Sequence, residues 1–280
     1  MDLRILSLGA GVQSSTLALM AARGEIDPID AAIFADTQAE PEHVYRWLDQ
    51  LEVCVNECEF AYPIFRVTTG NLSEDSLKLK KSSRSGNTYL SAAIPAFLLA
   101  PEGTKSLLGR KCTADYKVKA LQRKTKELLG IDRFKAADGV LCEQLIGIST
   151  DEAIRERKSR VPNIVLSYPL LELGMSRQDC LNWMEERGYS EPPKSACLFC
   201  PFHSDEMWLD IKQNDVEWQK IVQFERDLQS VADKATALRG KPFLHKTCVP
   251  INQVEFKPKL NKEKPQVDMF GNECEGLCGV

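Results

Sequence analysis

The sequence predicts an α/β protein built on a doubly wound parallel sheet, with a smaller cysteine-containing region at its C-terminal end. Three observations predict it. Short apolar runs alternate with helix-period patterns through the first two-thirds of the chain, as successive βαβ units do. A glycine-rich turn joins the first run to the first helix. After Pro192 aromatic residues, prolines and cysteines take over. The expected division is residues 1–190 for the α/β domain and 191–280 for the smaller region.

"LRILSL" (3–8) reads as the first strand and "SSTLALMAARG" (14–24) as the first helix, with Leu17, Met20 and Ala21 on one face and Gly24 as its stop. "DAAIFAD" (30–36) is the second strand, and "EPEHVYRWLDQLE" (40–52) the second helix, with Pro41 near its start. "IFRVTT" (64–69) reads as a third strand. The basic, Gly/Ser-containing stretch from 70 to about 110 reads as a mobile loop or flap over a site. A helix near 115–129 follows, then a strand "QLIGIS" (144–149) and a helix "SRQDCLNWMEERG" (176–188) with Ser176 as N-cap and Gly188 as stop. One helix is expected across 204–232.

At 280 residues and 43% hydrophobic, the chain can bury a large core. No apolar run approaches the roughly 20 residues that span a bilayer, and "MDLR" leads into a strand instead of a longer leader segment. The expectation is a soluble, cytoplasmic protein with no membrane partner. The net charge of −4 does not favour nucleic acid overall, although "LKLKKSSRSG" (77–86) and "KVKALQRKTK" (117–126) are locally basic. Ten cysteines in such a chain read as metal or redox chemistry before disulfides. Cys54, Cys58, Cys142 and Cys180 fall within regular patterns and read as inert buried thiols.

The stretch "LSLGAGVQSST" (6–16) places a glycine turn at a helix N-terminus, where unpaired N–H groups and the helix dipole favour an anion such as a phosphate. Gly9 and Gly11 admit a ligand to the backbone, and Ser7, Ser14, Ser15 and Thr16 offer hydroxyls. The Walker pattern fails for want of its lysine. The dinucleotide fingerprint matches only as Gly9-x-Gly11-x-x-Ser14, with Asp36 ending the second strand where a ribose-binding acid would sit. A turn that merely packs the helix on the sheet is the remaining structural alternative.

The same loop, with Gln13, Ser14 and Ser15 after Gly11, resembles the PP-loop of the adenine-nucleotide α-hydrolase-like superfamily, in the variant found in phosphoadenosine phosphosulfate (PAPS) reductase-like proteins. "FADTQAEPEHVYRWL" (34–48), "RKCTADYKVKAL" (110–121), "GISTDEAIRERKSR" (147–160), "YPLLELGMSRQDCLNWM" (168–184) and "CLFCPF" (197–202) match the family's segments in order. The resemblance implies an adenosine nucleotide, ATP or a PAPS-like sulfonucleotide, bound at the strand ends by Ser7, Gly9, Gly11, Gln13, Ser14, Ser15 and Asp36. Most ATP-cleaving members carry Asp where this chain has Gln13. A neutral amide there points toward sulfonucleotide chemistry and away from ATP-dependent activation.

Cys197 and Cys200 have the C-x-x-C spacing that lets two thiolates share one metal. A thioredoxin-like pair, a structural zinc site and an iron–sulfur cluster are the alternatives. The resemblance adds Cys112 and implies a [4Fe–4S] cluster, although the cluster-bearing sulfonucleotide reductases have two adjacent cysteines where this chain has Lys111-Cys112. The fourth position falls to Cys274, Cys278 or Cys248, or stays open. The tail "FGNECEGLCGV" (270–280) is similar in part to the family's C-terminal nucleophile segment, which makes Cys278 the candidate thiolate and Cys274 the candidate ligand. Among the basic residues Arg110, Lys111, Lys117, Arg155, Arg157 and Arg160, Lys111 beside Cys112 and Arg155 in "DEAIR" are the candidates for the reaction. Lys124 and Lys126 read as solvation. His43, His203 and His245 lack ligand spacing and read as structural.

The sequence therefore leads to an iron–sulfur PP-loop enzyme, an oxidoreductase or sulfurtransferase, that reduces a sulfonucleotide or thiolates a nucleic acid. Its other partners would be nucleic acid or a thiol or sulfide donor. The alternatives are a non-catalytic nucleotide-binding regulator with structural metal, and a Rossmann-type dinucleotide oxidoreductase.

Overall fold

The computed structural model describes residues 2–91, 94–132 and 139–257. Strand β1 (Leu3–Leu8) leads through the glycine turn into α1 (Val12–Ala22), then β2 (Ala31–Ala35), α2 (Glu42–Asn56) and β3 (Ile64–Val67). After a short helix α3 (Leu72–Ser76) come two hairpins, β4 (Leu79–Lys81) with β5 (Thr88–Leu90) and β6 (Phe97–Leu99) with β7 (Lys105–Leu107). A π-helical turn (Thr113–Val118) runs into α4 (Lys119–Leu129), followed by β8 (Cys142–Ile146), a 3-10 helix (Thr150–Arg155) and β9 (Ile164–Ser167). Helices α5 (Pro169–Glu172), α6 (Arg177–Glu186), α7 (Asp205–Lys212) and α8 (Asp215–Ala232) precede β10 (Lys241–Phe243).

The central sheet has the order β3-β2-β1-β8-β9 and is parallel throughout. Strand alternation sends Leu6, Leu8, Ala32, Phe34 and Leu145 to one face, under α1, α2 and α6. Ile5, Ala31, Ile33, Cys142 and Ile164 go to the other, where α4 lies over β1, β2 and β3. α1 is buried along its whole length, because the sheet and the helices α2, α5 and α6 pack on it. The order reverses between β1 and β8, so the crevice at their carboxyl ends is the topological switch point where open α/β sheets bind ligands.

Three expectations are corrected. The 70–110 stretch is not a flap: α3 and the two hairpins order its described residues, and β6 pairs with β10 from the far end of the chain. The single helix over 204–232 is two. Asn214 interrupts it by capping α8, its side chain accepting from Glu217 N–H at 3.3 Å, as Ser204 caps α7 through Met207 N–H. Strand β9 was not foreseen, because "IVLS" is a four-residue edge strand whose Val165 is exposed. The cap at Ser176 is a full capping box with Asp179.

The region after Pro192 packs with the two hairpins in one apolar cluster. That cluster joins Ala39, Leu72, Leu90, Ala96, Cys112 and Tyr116 to Cys197, Phe199, Trp208 and Ile221.

Candidate functional site

The turn between β1 and α1 keeps its shape through its own hydroxyls. Gly9 N–H donates to Ser14 Oγ at 3.1 Å, Ser14 Oγ donates to the Gly11 carbonyl at 3.3 Å, and Thr16 Oγ1 donates to the Val12 carbonyl at 2.9 Å. Ser15 Oγ accepts from Trp47 Nε1 at 2.9 Å, tying α1 to α2. These hydroxyls, read from the sequence as donors for a ligand, bond here within the turn and to α2. Ser7 differs: its Oγ is buried and has no hydrogen-bond partner among the described residues. Ala10 sits at φ 59°, a left-handed conformation that costs an alanine about 1–2 kcal/mol.

A slot of about 10 Å³ opens beside the turn, lined by Gly11, Gln13, Ser14 and Gly147 with Arg177, Lys194 and Ser195. That is room for roughly one water, so an anion at α1 would need Pro193–Ser195 to move outward. Glycine is required at 147. A Cβ there would lie 2.8 Å from Ser14 N and 2.9 Å from Ser14 Cα, so only glycine lets β8 end against the first turn of α1. A Cβ on Gly11 would meet only Ser195 Cβ, at an ordinary 3.8 Å.

Gln13, where an Asp would stand in ATP-cleaving relatives of the resembled family, points its amide at Ser149 Oγ and Glu152 Oε2, both at 3.5 Å. Glu152 also forms an ion pair with Arg155. A carboxylate is thus present at the loop, supplied by Glu152 after β8. The Ser149 hydroxyl donates to Asp151, which accepts from Arg177 N–H at 2.6 Å. Asp36 ends β2 and fixes the next turn, accepting from Gln38 N–H at 2.7 Å and Tyr45 OH at 2.8 Å. Burial, with this bond, pushes the Tyr45 hydroxyl up. Gly147, Ser149, Glu152, Arg177 and Lys194 were not singled out from the sequence: the first four lie in the segments 147–160 and 168–184 that were quoted whole, Lys194 lies in none, and all are more than 130 residues from the loop they meet. Gly147 had a signal, a lone glycine at a strand end.

Cys112 and Cys197 share the C-terminal apolar cluster, and Cys200, whose N–H donates to the Cys197 carbonyl at 3.0 Å, is buried like them. Glu40 Oε1 accepts from Thr37 Oγ1 at 3.1 Å and from the Cys197 thiol at 3.3 Å, while Glu40 Oε2 is buried with no partner among the described residues. His203 holds the Cys197 carbonyl through Nε2 at 3.0 Å, and its Nδ1 is likewise buried without a partner. Burial drives the His203 pKa down to about 4. The soft Cys197 thiol, beside a carboxylate whose second oxygen has no partner among the described residues, suits a thiophilic metal in donor chemistry. Among the described residues no group of three or more His, Cys, Asp or Glu side chains is arranged to hold one. Lys111 is exposed. Cys274 and Cys278 lie outside the described residues. By contrast, Cys142 and Cys180 are packed in the core, with burial raising their thiols to about 12 and about 11.

Searches of protein-family models and of curated proteins found no match. Among solved structures, the chain is similar to the phosphoadenylyl-sulfate (PAPS) reductase from Candida auris in its phosphate complex. The identity is 13% and the TM-score 0.41, over 69% of this chain and 76% of that one.

Proposed function

We propose that the chain is an adenine-nucleotide-binding enzyme of the PAPS-reductase-like PP-loop kind, acting in sulfonucleotide reduction or sulfur transfer. The observation that carries this reading is the glycine turn at the β1/β8 switch point, with backbone donors of α1 facing a slot flanked by Arg177 and Lys194. In this reading Gly9, Gly11 and Ser14 present the loop, Ser7 offers its orphaned hydroxyl, and Gln13 positions Glu152 and Arg155 at the phosphates. Asp36 orients the nucleoside from the end of the neighbouring strand.

Cys112, Cys197 and Cys200, with Cys274, are proposed as donors for a [4Fe–4S] cluster, zinc being the other metal these thiols suit; a cluster would supply thiophilic and redox chemistry. Cys278 is proposed as the nucleophile. Its thiolate attacks the sulfate sulfur, an S–S bond forms, and the S–O bond breaks so that the nucleotide phosphate leaves with the electron pair. An external dithiol, the thiol partner, then releases sulfite and leaves a disulfide. Lys111 is proposed to steady the developing charge.

Calorimetry against ATP, AMP, PAPS and NAD tests the reading. The expected result is binding of the adenosine phosphates that Gly11→Val abolishes without unfolding the chain. Binding of NAD alone would favour the dinucleotide alternative, and binding of none would remove the reading.

A further inference from the structure

The charge of this chain is unevenly placed. Residues 77–126 hold twelve lysines and arginines against two acids, Glu102 and Asp115, in a protein whose net charge is −4. One of them, Arg110, meets three further cations from residues 157–160 on one side of the sheet. On the face of the sheet that α4 covers, α4 lies over β1, β2 and β3, and a cavity of about 370 Å³ opens over β8 and β9. Arg110, Arg157, Lys158 and Arg160 line it, and no acidic side chain does among the described residues. Its floor is apolar, from Leu121, Ile164 and Leu166, and two amides, Gln122 and Gln144, face the same space. None of these residues lines the loop slot.

A chain of contacts leads from the cavity wall to the basic β4–β5 hairpin. The Thr113 and Ala114 walls of the cavity belong to the π-helical turn, whose Tyr116 hydroxyl donates to Asp75 Oδ2 at 2.7 Å. Asp75 in turn pairs with Lys78 at 2.6 Å and feels Lys80. Lys80 and Lys81 of β4 are exposed. Around the cavity the cations crowd one another: burial first, then Arg160, Arg155 and Arg110, hold the Arg157 guanidinium below its ordinary value. A concentration of like charge in a partly apolar cleft is repaid by a polyanion that also carries planar, partly apolar groups.

We propose that this face binds a single-stranded nucleic acid, its phosphodiesters running from the β4–β5 hairpin to the 157–160 loop and one unstacked base entering the cavity over β8 and β9. A cavity of this size has room for one nucleotide, and the Gln122 amide offers a base edge both donors and an acceptor. The proposal deepens the sulfur-transfer reading, on which it rests for the role of the strand as acceptor; binding itself is measurable without turnover.

The test is fluorescence anisotropy with a labelled single-stranded 20-mer RNA, no nucleotide being added. Four phosphate contacts predict an affinity that weakens about 50-fold between roughly 50 and 200 mM salt. Arg157→Glu with Arg160→Glu should weaken binding at least tenfold, and Lys80→Glu with Lys81→Glu several-fold. Arg46→Glu on α2, on the opposite side of the sheet, should change it less than twofold. A strand carrying 2-aminopurine should brighten several-fold on binding wild type as that base unstacks, a readout that does not depend on any variant folding. No binding at low salt, an equal loss with Arg46→Glu, retention on anionic vesicles without strand binding, or binding with no brightening would each overturn the proposal. A chain that binds the strand but no adenosine phosphate overturns the loop reading alone; one that binds ATP but no strand overturns this one alone.

Discussion

The loop-bearing sheet and the cysteine-bearing cluster are both well packed, yet they differ in how completely the protein satisfies itself. Around the loop almost every polar atom has an internal partner: Ser14, Ser15 and Thr16 are spent on the turn and on Trp47, and Ser7 Oγ is left over. In and beside the cysteine cluster Glu40 Oε2, His203 Nδ1 and Trp208 Nε1 are buried with no partner among the described residues. A buried polar atom left without a partner costs about 1–3 kcal/mol, so three in one neighbourhood make this the part of the protein where polar groups are least served by the chain itself. The difference teaches that the turn spends more of its polar groups on the protein itself than the neighbourhood of Cys197 does.

The sharpest way to break this comparison is to remove one thiol from each region. Cys197→Ala is expected to abolish bound metal in anaerobically purified protein, with loss of brown colour, iron and acid-labile sulfide. Cys142→Ala, whose thiol is core packing, should keep the wild-type metal content and lose only stability. A colourless wild type with stoichiometric zinc would reject the cluster and keep the site; equal metal in all three proteins would reject both.

Gly147→Ala comes next. The added Cβ would press on the Ser14 backbone, which cannot swing aside as a flexible side chain could. Overpacking of this kind costs about 1–3 kcal/mol, or roughly 3–10 °C in melting temperature for a chain of this size. Nucleotide binding should fall with it. A variant as stable as wild type would show that β8 and α1 are less tightly joined than the geometry says.

What the sequence made legible follows the same division. β1, α1, β2, α2 and α6 carry local signals: period, cap and stop glycine within one element. The loop could therefore be read from eleven residues. The cysteine region depends on contacts between residues 39–116 and 197–256, and no local pattern announces that β6 will pair with β10. Arg177, Lys194 and Glu152 reach the loop only through the sheet order, so their spacing in the chain carried no sign of it. Three of the cavity's cations, Arg110, Arg157 and Arg160, were named, but the open face over β8 and β9 that brings them together with Lys158 is a property of where α4 lies.

A smaller effect separates the two regions by pH. His245 is buried with Nε2 3.3 Å from Asp205 and Nδ1 against Thr247 Oγ1, and burial holds its pKa below the ordinary 6.5 despite the carboxylate. A folded-state pKa below the unfolded one means the unfolded chain binds the proton more readily. The stability that neutral His245 contributes is therefore complete above about pH 6.5 and is lost as pH falls toward the folded value. Glu225, raised by burial, contributes with the opposite sign. The comparison that isolates His245 is the change in urea midpoint between pH 7 and 5 for wild type against His245→Gln, which should be flatter. Parallel curves would show that the histidine does not titrate with unfolding.

The smallest expected effect lies back in the turn. Ala10 holds φ 59° between two glycines, so the turn keeps a left-handed residue where the side chain is a methyl group. Ala10→Gly relieves about 1–2 kcal/mol of strain and costs about 0.5–1 kcal/mol of unfolded-state entropy, leaving a net gain of up to about 1.5 kcal/mol. The urea midpoint should rise at unchanged slope. The same freedom should loosen the cradle, so adenosine-phosphate affinity is expected to fall slightly while stability rises. A variant that gained both would show that the strained alanine does not hold the loop in its binding shape.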